Sequence, residues 1–256
     1  MSYLNTVPLV WGLASEDCDL SFAVPSECAR RVEAGEADLG IVPVAEIQRH
    51  GWDWIPGTGI AAEGPVRSIL LVSKVDPRRI RTLATDSGSR TSVQLARIIL
   101  RGRYQCDPEF FSMDPDLDIM LRRADAALLI GDSALRLDPA AIGGHVLDLG
   151  SEWWELTRLP MVFALWAGPR EVVAELGKPR LERMFTRALD AGLADLDAIT
   201  AAEAAKRGFP PEVVREYLTR SIKFRIGTRE KQGLAAFLGH VSKLESLVPS
   251  SIGSAC

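Results

Sequence analysis

The chain has 256 residues, 47% of them hydrophobic and 25% charged, with a formal net charge of −4. This length can bury one large core or two lobes of about 100–150 residues each. The mild acidity argues against nucleic acid or an anionic membrane as the main partner, and no apolar run reaches the ~18 residues of a membrane span. No secretory segment opens the sequence, and the cysteines at 18, 28, 106 and 256 lack CxxC or metal-ligand spacing. We therefore expect a cytoplasmic protein with reduced cysteines and no metal.

Strand and helix patterns alternate along most of the chain, and helices dominate from residue 169 onward. The predicted strands cover 20–25, 38–44, 66–75, 81–85, 107–113, 126–132, 146–150 and 161–166. The predicted helices cover 27–34, 45–50, 89–101, 114–123, 170–176, 181–194, 197–207, 211–222 and 232–247, with a loop over 52–64 and a frayed tail over 248–256. The near-continuous apolar run at 38–44 is typical of a strand buried in a parallel sheet. The pattern predicts an α/β fold with right-handed crossovers.

Hydroxyl residues follow the predicted strand 81–85, where Ser87-Gly88-Ser89-Arg90-Thr91-Ser92 opens a long helix. The first N–H groups of a helix lack partners and carry partial positive charge, so they can hold a carboxylate or a phosphate. The hydroxyls would add donors, and Arg90 would add a counter-charge. The alternative is an ordinary helix cap beside an exposed arginine.

Two further segments place polar residues beside predicted strands. Arg67 and Ser68 begin the strand 66–75, where the alternative is a turn with a solvated arginine. Gly131 and Asp132 end the strand 126–132, and ligands of α/β sheets bind at the carboxyl ends of strands. Gly131 would let a substrate approach the backbone. The alternative for Asp132 is a cap of the next helix.

Motifs for metal, nucleotide and hydrolase chemistry are missing from the sequence. His50, His145 and His240 lie far apart, and no HExxH, GxSxG, Walker motif or strand-linked GxGxxG is present. A reaction without a cofactor, or simple binding, is therefore favoured.

The opening Ser2-Tyr3-Leu4-Asn5-Thr6-Val7-Pro8 resembles the S-Y-L-N-T-x-P motif of the chorismate dehydratases in the futalosine route to menaquinone. Residues 38–43, 64–68, 89–92, 128–132, 148–154 and 159–164 resemble later motifs of that family in the same order. Arg158 stands where the family usually has glycine, and Met161 where it has phenylalanine. Neither change affects a polar motif residue.

The resemblance implies a two-lobed periplasmic-binding-protein-like type II fold with a ligand cleft between the lobes. The lobes would be 1–75 with 157–256, and 76–156. It also implies a cytoplasmic lyase that takes chorismate as its small-molecule substrate and removes water to give 3-[(1-carboxyvinyl)oxy]benzoate. No cofactor, nucleic acid or membrane takes part.

The same resemblance implies the site residues. Asn5 and Ser68 would be catalytic, facing each other across the cleft and orienting the enolpyruvyl group and the leaving hydroxyl. Since no protein base is evident, the substrate's own side-chain carboxylate would take the proton. The residues implied to bind substrate are Tyr3, Thr6, Pro43, Arg67, Ser89, Arg90, Thr91, Gly131 and Asp132. For Tyr3 the alternative is a core tyrosine.

Two other functions fit the same fold. A naphthoate-forming synthase of the same pathway has an opening motif built around S-x-C-x-N-D, which residues 2–6 do not match. A non-catalytic protein that binds small carboxylates is the second. Binding of chorismate without turnover would favour it.

Overall fold

The computed structural model describes residues 2–16 and 18–246. Its strands are β1 Gly40–Pro43, β2 Asp53–Ala62, β3 Ile69–Ser73, β4 Thr82–Asp86, β5 Glu109–Met113, β6 Ala126–Ile130, β7 His145–Asp148, β8 Met161–Gly168 and β9 Lys223–Ile226. Its α-helices are α1 Val7–Val10, α2 Pro25–Glu33, α3 Val44–His50, α4 Thr91–Tyr104, α5 Leu117–Arg123, α6 Gly131–Leu135, α7 Leu149–Thr157, α8 Arg170–Leu176, α9 Lys178–Ala194, α10 Leu196–Arg207, α11 Pro211–Glu216 and α12 Thr228–Ser246. The predicted tail 248–256 lies outside the described residues.

The first sheet has the strand order β1-β8-β2-β9 among the described residues, and every pairing in it is antiparallel. The parallel pairing predicted for 38–44 is therefore wrong. β8 returns from the second sheet and runs against both β1 and β2, so the apolar run is buried by an antiparallel neighbour. All residues of β8 are buried, which makes it the central strand of this sheet.

The second sheet has the order β5-β4-β6-β3-β7 in the described part of the chain. β4 pairs in parallel with β5 and β6, as predicted for βαβ units, whereas β3 is antiparallel to β6 and β7. Because β3 belongs to this sheet, the chain crosses between the sheets before Ile69. This differs from the predicted lobe boundary at residues 75 and 76.

Two predicted elements are wrong, because contacts between distant parts of the chain decide the structure there. Residues 20–25 form no strand, and the alternating apolar side chains of Leu20, Phe22 and Val24 are 41–53% exposed. Residues 52–64, predicted as a loop because of their glycines, contain the ten-residue strand β2. A Cβ at Gly59 would lie 2.6 Å from the Leu165 side chain, so glycine is required there for β2 to pack on β8.

The helices after β8 cover the first sheet. α9 packs on β2 and on α1, and α12 packs on β8 and α4. Together they bury the apolar faces of the sheet in one large core. Within residues 2–16 and 18–246, no helix is both long and apolar enough to cross a lipid bilayer.

Candidate functional site

A cleft opens between the two sheets. Its walls combine the N-terminal turn, the strand ends of both sheets and the start of α4. The described residues that line it are Tyr3, Asn5, Pro25, Pro43, Ile60, Val66, Ser68, Ile69, Gly88, Ser89, Arg90, Thr91, Ser92, Ile130, Gly131, Phe163 and Ala164. The mixture of apolar walls with a few polar groups is typical of ligand sites.

The N-terminal turn brings Tyr3 and Asn5 to the cleft. Residues Leu4–Thr6 form a 3-10 turn that continues into α1, whose early Pro8 lacks the N–H that a helix start leaves unpaired. The Tyr3 ring lies against Gly131, which has a positive φ of 60° and no side chain to interfere. Tyr3 is therefore a cleft wall, as one of its two predicted interpretations proposed.

A partly buried carboxylate holds the backbone of the two residues before Ser68. Asp148 accepts the N–H groups of Val66 at 3.0 Å and Arg67 at 2.7 Å, and also those of Gly150 and Ser151 at the start of α7. Burial raises the pKa of Asp148, while these N–H groups act in the opposite direction. Arg67 adopts a left-handed φ of 63°, which costs energy for a residue with a side chain. Residues 63–68, which cross from the first sheet to the second, form the crossing segment, and Asp148 fixes its backbone.

Asn5 and Ser68 meet through a residue that the sequence analysis missed. The hydroxyl of Tyr217 accepts a hydrogen bond from Asn5 Nδ2 at 3.0 Å and donates one to Ser68 Oγ at 2.8 Å. Tyr217 belongs to a short π-helical turn, Tyr217–Ser221, that continues α11. The sequence carries no signal for this role, because a tyrosine on an amphipathic helix is ordinarily a core residue.

The start of α4 provides the cationic side of the cleft. Its first helical hydrogen bond runs from the Gln94 N–H to the Arg90 carbonyl, so the N–H groups before Gln94 precede the helical ladder. Arg90 is the only cationic side chain among the described lining residues, and its side chain is 54% exposed. Ser89 Oγ is buried and has no partner within the described residues. These groups suit an anion.

Glu46 lies behind Arg90 and was not singled out by the sequence. Its buried carboxylate is 3.7 Å from Arg90 Nε and 3.2 Å from His50 Nε2. The Thr91 hydroxyl makes two hydrogen bonds within the protein. It donates to the Phe163 carbonyl at 3.2 Å and accepts from the Ala45 N–H at 3.4 Å. The Thr91 side chain therefore ties α4 to the first sheet.

Two acidic residues, Asp86 and Asp132, lie near Tyr3. Asp86 lies at the end of β4 and accepts the Gly88 N–H at 2.9 Å. Burial raises the pKa of Asp86, with the Gly88 and Ile130 N–H groups opposing the shift. Burial and the charges of Asp86 and Asp132 in turn raise the pKa of Tyr3. This side of the cleft therefore favours neutral groups over anions.

Three predicted substrate-binding residues do not line the cleft: Thr6, Arg67 and Asp132. Thr6 is 1% exposed, and Arg67 is the strained residue of the crossing segment. Asp132 accepts the Leu4 N–H at 3.1 Å and forms an ion pair with Arg207 of α10. Asp132 therefore connects α6 to the N-terminal turn, and it does not cap α6, which has no side-chain cap.

Within residues 2–16 and 18–246, no group of three or more His, Cys, Asp or Glu side chains is arranged to hold a metal ion. The lining residues offer hydroxyl, amide, guanidinium and backbone N–H groups. Such a set recognises carboxylates and hydroxyls.

The chain is similar to known proteins in sequence and in structure. A family model described as menaquinone biosynthesis matches residues 1–243. A chorismate dehydratase from Thermus thermophilus is 28% identical over 258 residues, covering 92% of this chain and 91% of that protein. A crystal structure from Archaeoglobus fulgidus is similar over 96% of both chains, with 16% identity and a TM-score of 0.72. The periplasmic aliphatic sulphonate binding protein SsuA from Escherichia coli is similar over 97% of this chain and 92% of its own, with 17% identity and a TM-score of 0.62. The predicted periplasmic-binding-protein-like fold is confirmed.

Proposed function

This chain belongs to the menaquinone biosynthesis family, and we propose that it is a chorismate dehydratase, a lyase that removes water from chorismate to give 3-[(1-carboxyvinyl)oxy]benzoate. The similar Thermus thermophilus protein carries that name. The observation that carries the proposal is that one cleft contains two sets of polar groups that could bind the substrate. A cationic helix start and the linked side chains of Asn5 and Ser68 line the same cleft. The cytoplasmic location expected from the sequence belongs to the same proposal.

The substrate's ring carboxylate would bind at the start of α4. Chorismate carries two carboxylates and one ring hydroxyl, and its ring has two apolar faces. Ser89 Oγ, the N–H groups of α4 and Arg90 provide donors and positive charge for one carboxylate. Apolar residues such as Ile60 and Phe163 line the cleft beside these groups and exclude water from the ring.

The reaction needs only positioned polar groups. Loss of the proton from the ring carbon that bears the enol ether leaves a carbanion conjugated to the ring carboxylate. The enolpyruvyl carboxylate of the substrate takes that proton. The hydroxyl on the next carbon then leaves, recovers the proton as water, and the ring becomes aromatic. Negative charge grows on the ring carboxylate during the first step, so the helix start and Arg90 stabilise the transition state more than the ground state.

Asn5 and Ser68 would act on the opposite side of the ring. Both are buried, at 9% and 2% exposure, and both line the cleft. Asn5 Oδ1 has no partner within the described residues, although it is buried. A buried unpaired acceptor costs free energy unless a ligand satisfies it. Chorismate's ring hydroxyl is a suitable donor.

The experiment that tests this function is incubation of chorismate with a catalytic amount of the protein and a metal chelator, followed by chromatography with ultraviolet detection. We expect the aromatic enolpyruvyl benzoate to accumulate far beyond one equivalent of protein. Binding of chorismate in calorimetry without product would instead support the carboxylate-binding alternative. If chorismate neither binds nor is converted, both functions are refuted.

A further inference from the structure

Tyr217 occupies a position that a purely structural tyrosine does not need. It is 3% exposed, packs in the main core, and reaches residues 212 and 149 positions away in sequence. A buried phenol is satisfied by one partner. Tyr217 has two, and both are cleft residues. It also opens a π-helical turn, a feature frequent at functional sites.

The chain of hydrogen bonds has a direction, because a phenol has only one proton. Tyr217 donates that proton to Ser68 Oγ and accepts from Asn5 Nδ2. The amide of Asn5 is thereby oriented with Oδ1 as the remaining group, which is buried without a partner in the described chain. Ser68 Oγ already accepts, so its own proton is left for a group in the cleft.

The direction is stable because Tyr217 stays protonated. Complete burial raises its pKa well above the ordinary value for tyrosine, and the bonds to Ser68 and Asn5 only partly oppose this shift. Over the pH range in which proteins work, the phenol therefore remains a donor to Ser68. The cleft wall accordingly presents one acceptor, Asn5 Oδ1, and one donor, the Ser68 hydroxyl.

We infer that Tyr217 is a positioning residue that makes Asn5 and Ser68 a paired acceptor and donor for the leaving hydroxyl of the substrate. A hydroxyl both donates and accepts, so it matches this pair. Asn5 Oδ1 accepts a hydrogen bond from the hydroxyl and orients the group, and Ser68 donates a hydrogen bond to its oxygen as the carbon–oxygen bond breaks. The inference rests on the proposed function. It adds the residue that sets the polarity of the site.

The test is the Tyr217→Phe variant, which removes the hydroxyl and keeps the ring. We expect kcat to fall roughly 10- to 100-fold, because misaligned catalytic groups cost about that much, while KM changes little. The losses from Tyr217→Phe and Ser68→Ala should be less than multiplicative, because Tyr217 acts partly through Ser68. Tyr104→Phe is the matched control. It also loses one hydrogen bond, to Glu152 at 3.0 Å, and lies outside the cleft lining, so its turnover should be unchanged.

A second measurement does not depend on the folding of that variant. Replacement of Tyr217 by 3,5-difluorotyrosine keeps the hydroxyl and the shape but lowers the phenol pKa. We expect activity to be lost on the alkaline side at a lower pH than in the wild type, because a phenolate cannot donate to Ser68. Full activity of Tyr217→Phe, or an unchanged pH profile with difluorotyrosine, would overturn the inference. An inactive wild type would overturn the proposed function instead, and this inference with it.

Discussion

The ring of Tyr3 lies directly on the backbone of Gly131: a Cβ built at Gly131 would be 2.7 Å from Tyr3 Cδ1 and Cε1. The N-terminal turn of the chain and the end of β6 therefore approach each other only because residue 131 has no side chain. Its φ of 60° adds a second requirement for glycine.

Gly131→Ala should damage both stability and activity. The left-handed backbone alone costs about 1–2 kcal/mol for alanine, and the methyl group would displace Tyr3 and, with it, Asn5. Thermal unfolding and chorismate kinetics measure the two effects. Gly239→Ala is the control, since nothing lies within 4 Å of its Cβ on α12. Normal kinetics for Gly131→Ala would show that the position of Tyr3 does not matter.

Neighbouring hydroxyls at the start of α4 should respond differently to removal. Ser89 Oγ has no partner within the described residues, whereas the Thr91 hydroxyl makes two hydrogen bonds. Ser89→Ala should raise KM for chorismate and leave the unfolding midpoint unchanged. Thr91→Val should lower the free energy of unfolding by about 1–3 kcal/mol, because it strands the Ala45 N–H. If Ser89→Ala instead lost stability and kept its KM, Ser89 would not be a substrate contact.

Arg207 should be important for stability although it lies outside the cleft. Its side chain is 13% exposed and pairs with Glu203 and Asp132, which are 9% and 21% exposed. Arg207→Gln leaves Asp132 without a cation and Glu203 with only the exposed Lys206, 3.7 Å away, so we expect a loss of about 3 kcal/mol in unfolding free energy. Arg215→Gln breaks a pair with the exposed Asp197 and should cost at most about 1 kcal/mol. Equal losses in the two variants would contradict this.

Asp125 gives a prediction for pH. The N–H of Arg81, together with the N–H and hydroxyl of Thr82, lowers the pKa of Asp125 in the folded chain. The unfolded chain therefore binds more protons between the two pKa values, and stability rises with pH in that window. The contribution should be complete above the unfolded pKa of about 3.9 and should vanish as pH falls through the lower folded pKa.

The Asp125→Asn variant measures this contribution in denaturant titrations at several pH values. It should be about 1 kcal/mol less stable than the wild type at pH 7, with the difference shrinking in strong acid. A difference that stays constant across the acid range would mean that the charge of Asp125 is not responsible.

The sequence predicted the local features of this molecule better than its long-range ones. Helix α8 has the predicted limits, and β4 and β5 lie within one or two residues of theirs, because periodicity and turn residues act locally. β2 was missed because its glycines indicate a loop, and only the partner strand β8 shows why they are needed. β9 was missed inside a run of helices for a similar reason. Its alternating burial appears only once it pairs with β2.

The residues of the candidate site were likewise predicted where they lie in contiguous segments and missed where they act through long-range contacts. The opening motif and the start of α4 are contiguous segments, so their lining residues could be selected from sequence. Tyr217 and Glu46 act through contacts with residues distant along the chain, 149 and 212 positions away for Tyr217. Asp132 was selected as a substrate contact because it follows a strand end, yet the nearby N–H of Leu4 and the guanidinium of Arg207 occupy its carboxylate.

The measurement that tests the account most directly is the turnover of chorismate by Ser68→Ala and Asn5→Asp beside the wild type. Ser112→Ala, an exposed serine on β5, is the control. We predict that the wild type and the control form the enolpyruvyl benzoate at equal rates, and that both cleft variants lose at least about 100-fold in kcat while they remain folded. Near-normal turnover by both cleft variants would contradict the assignment of this cleft as the active site.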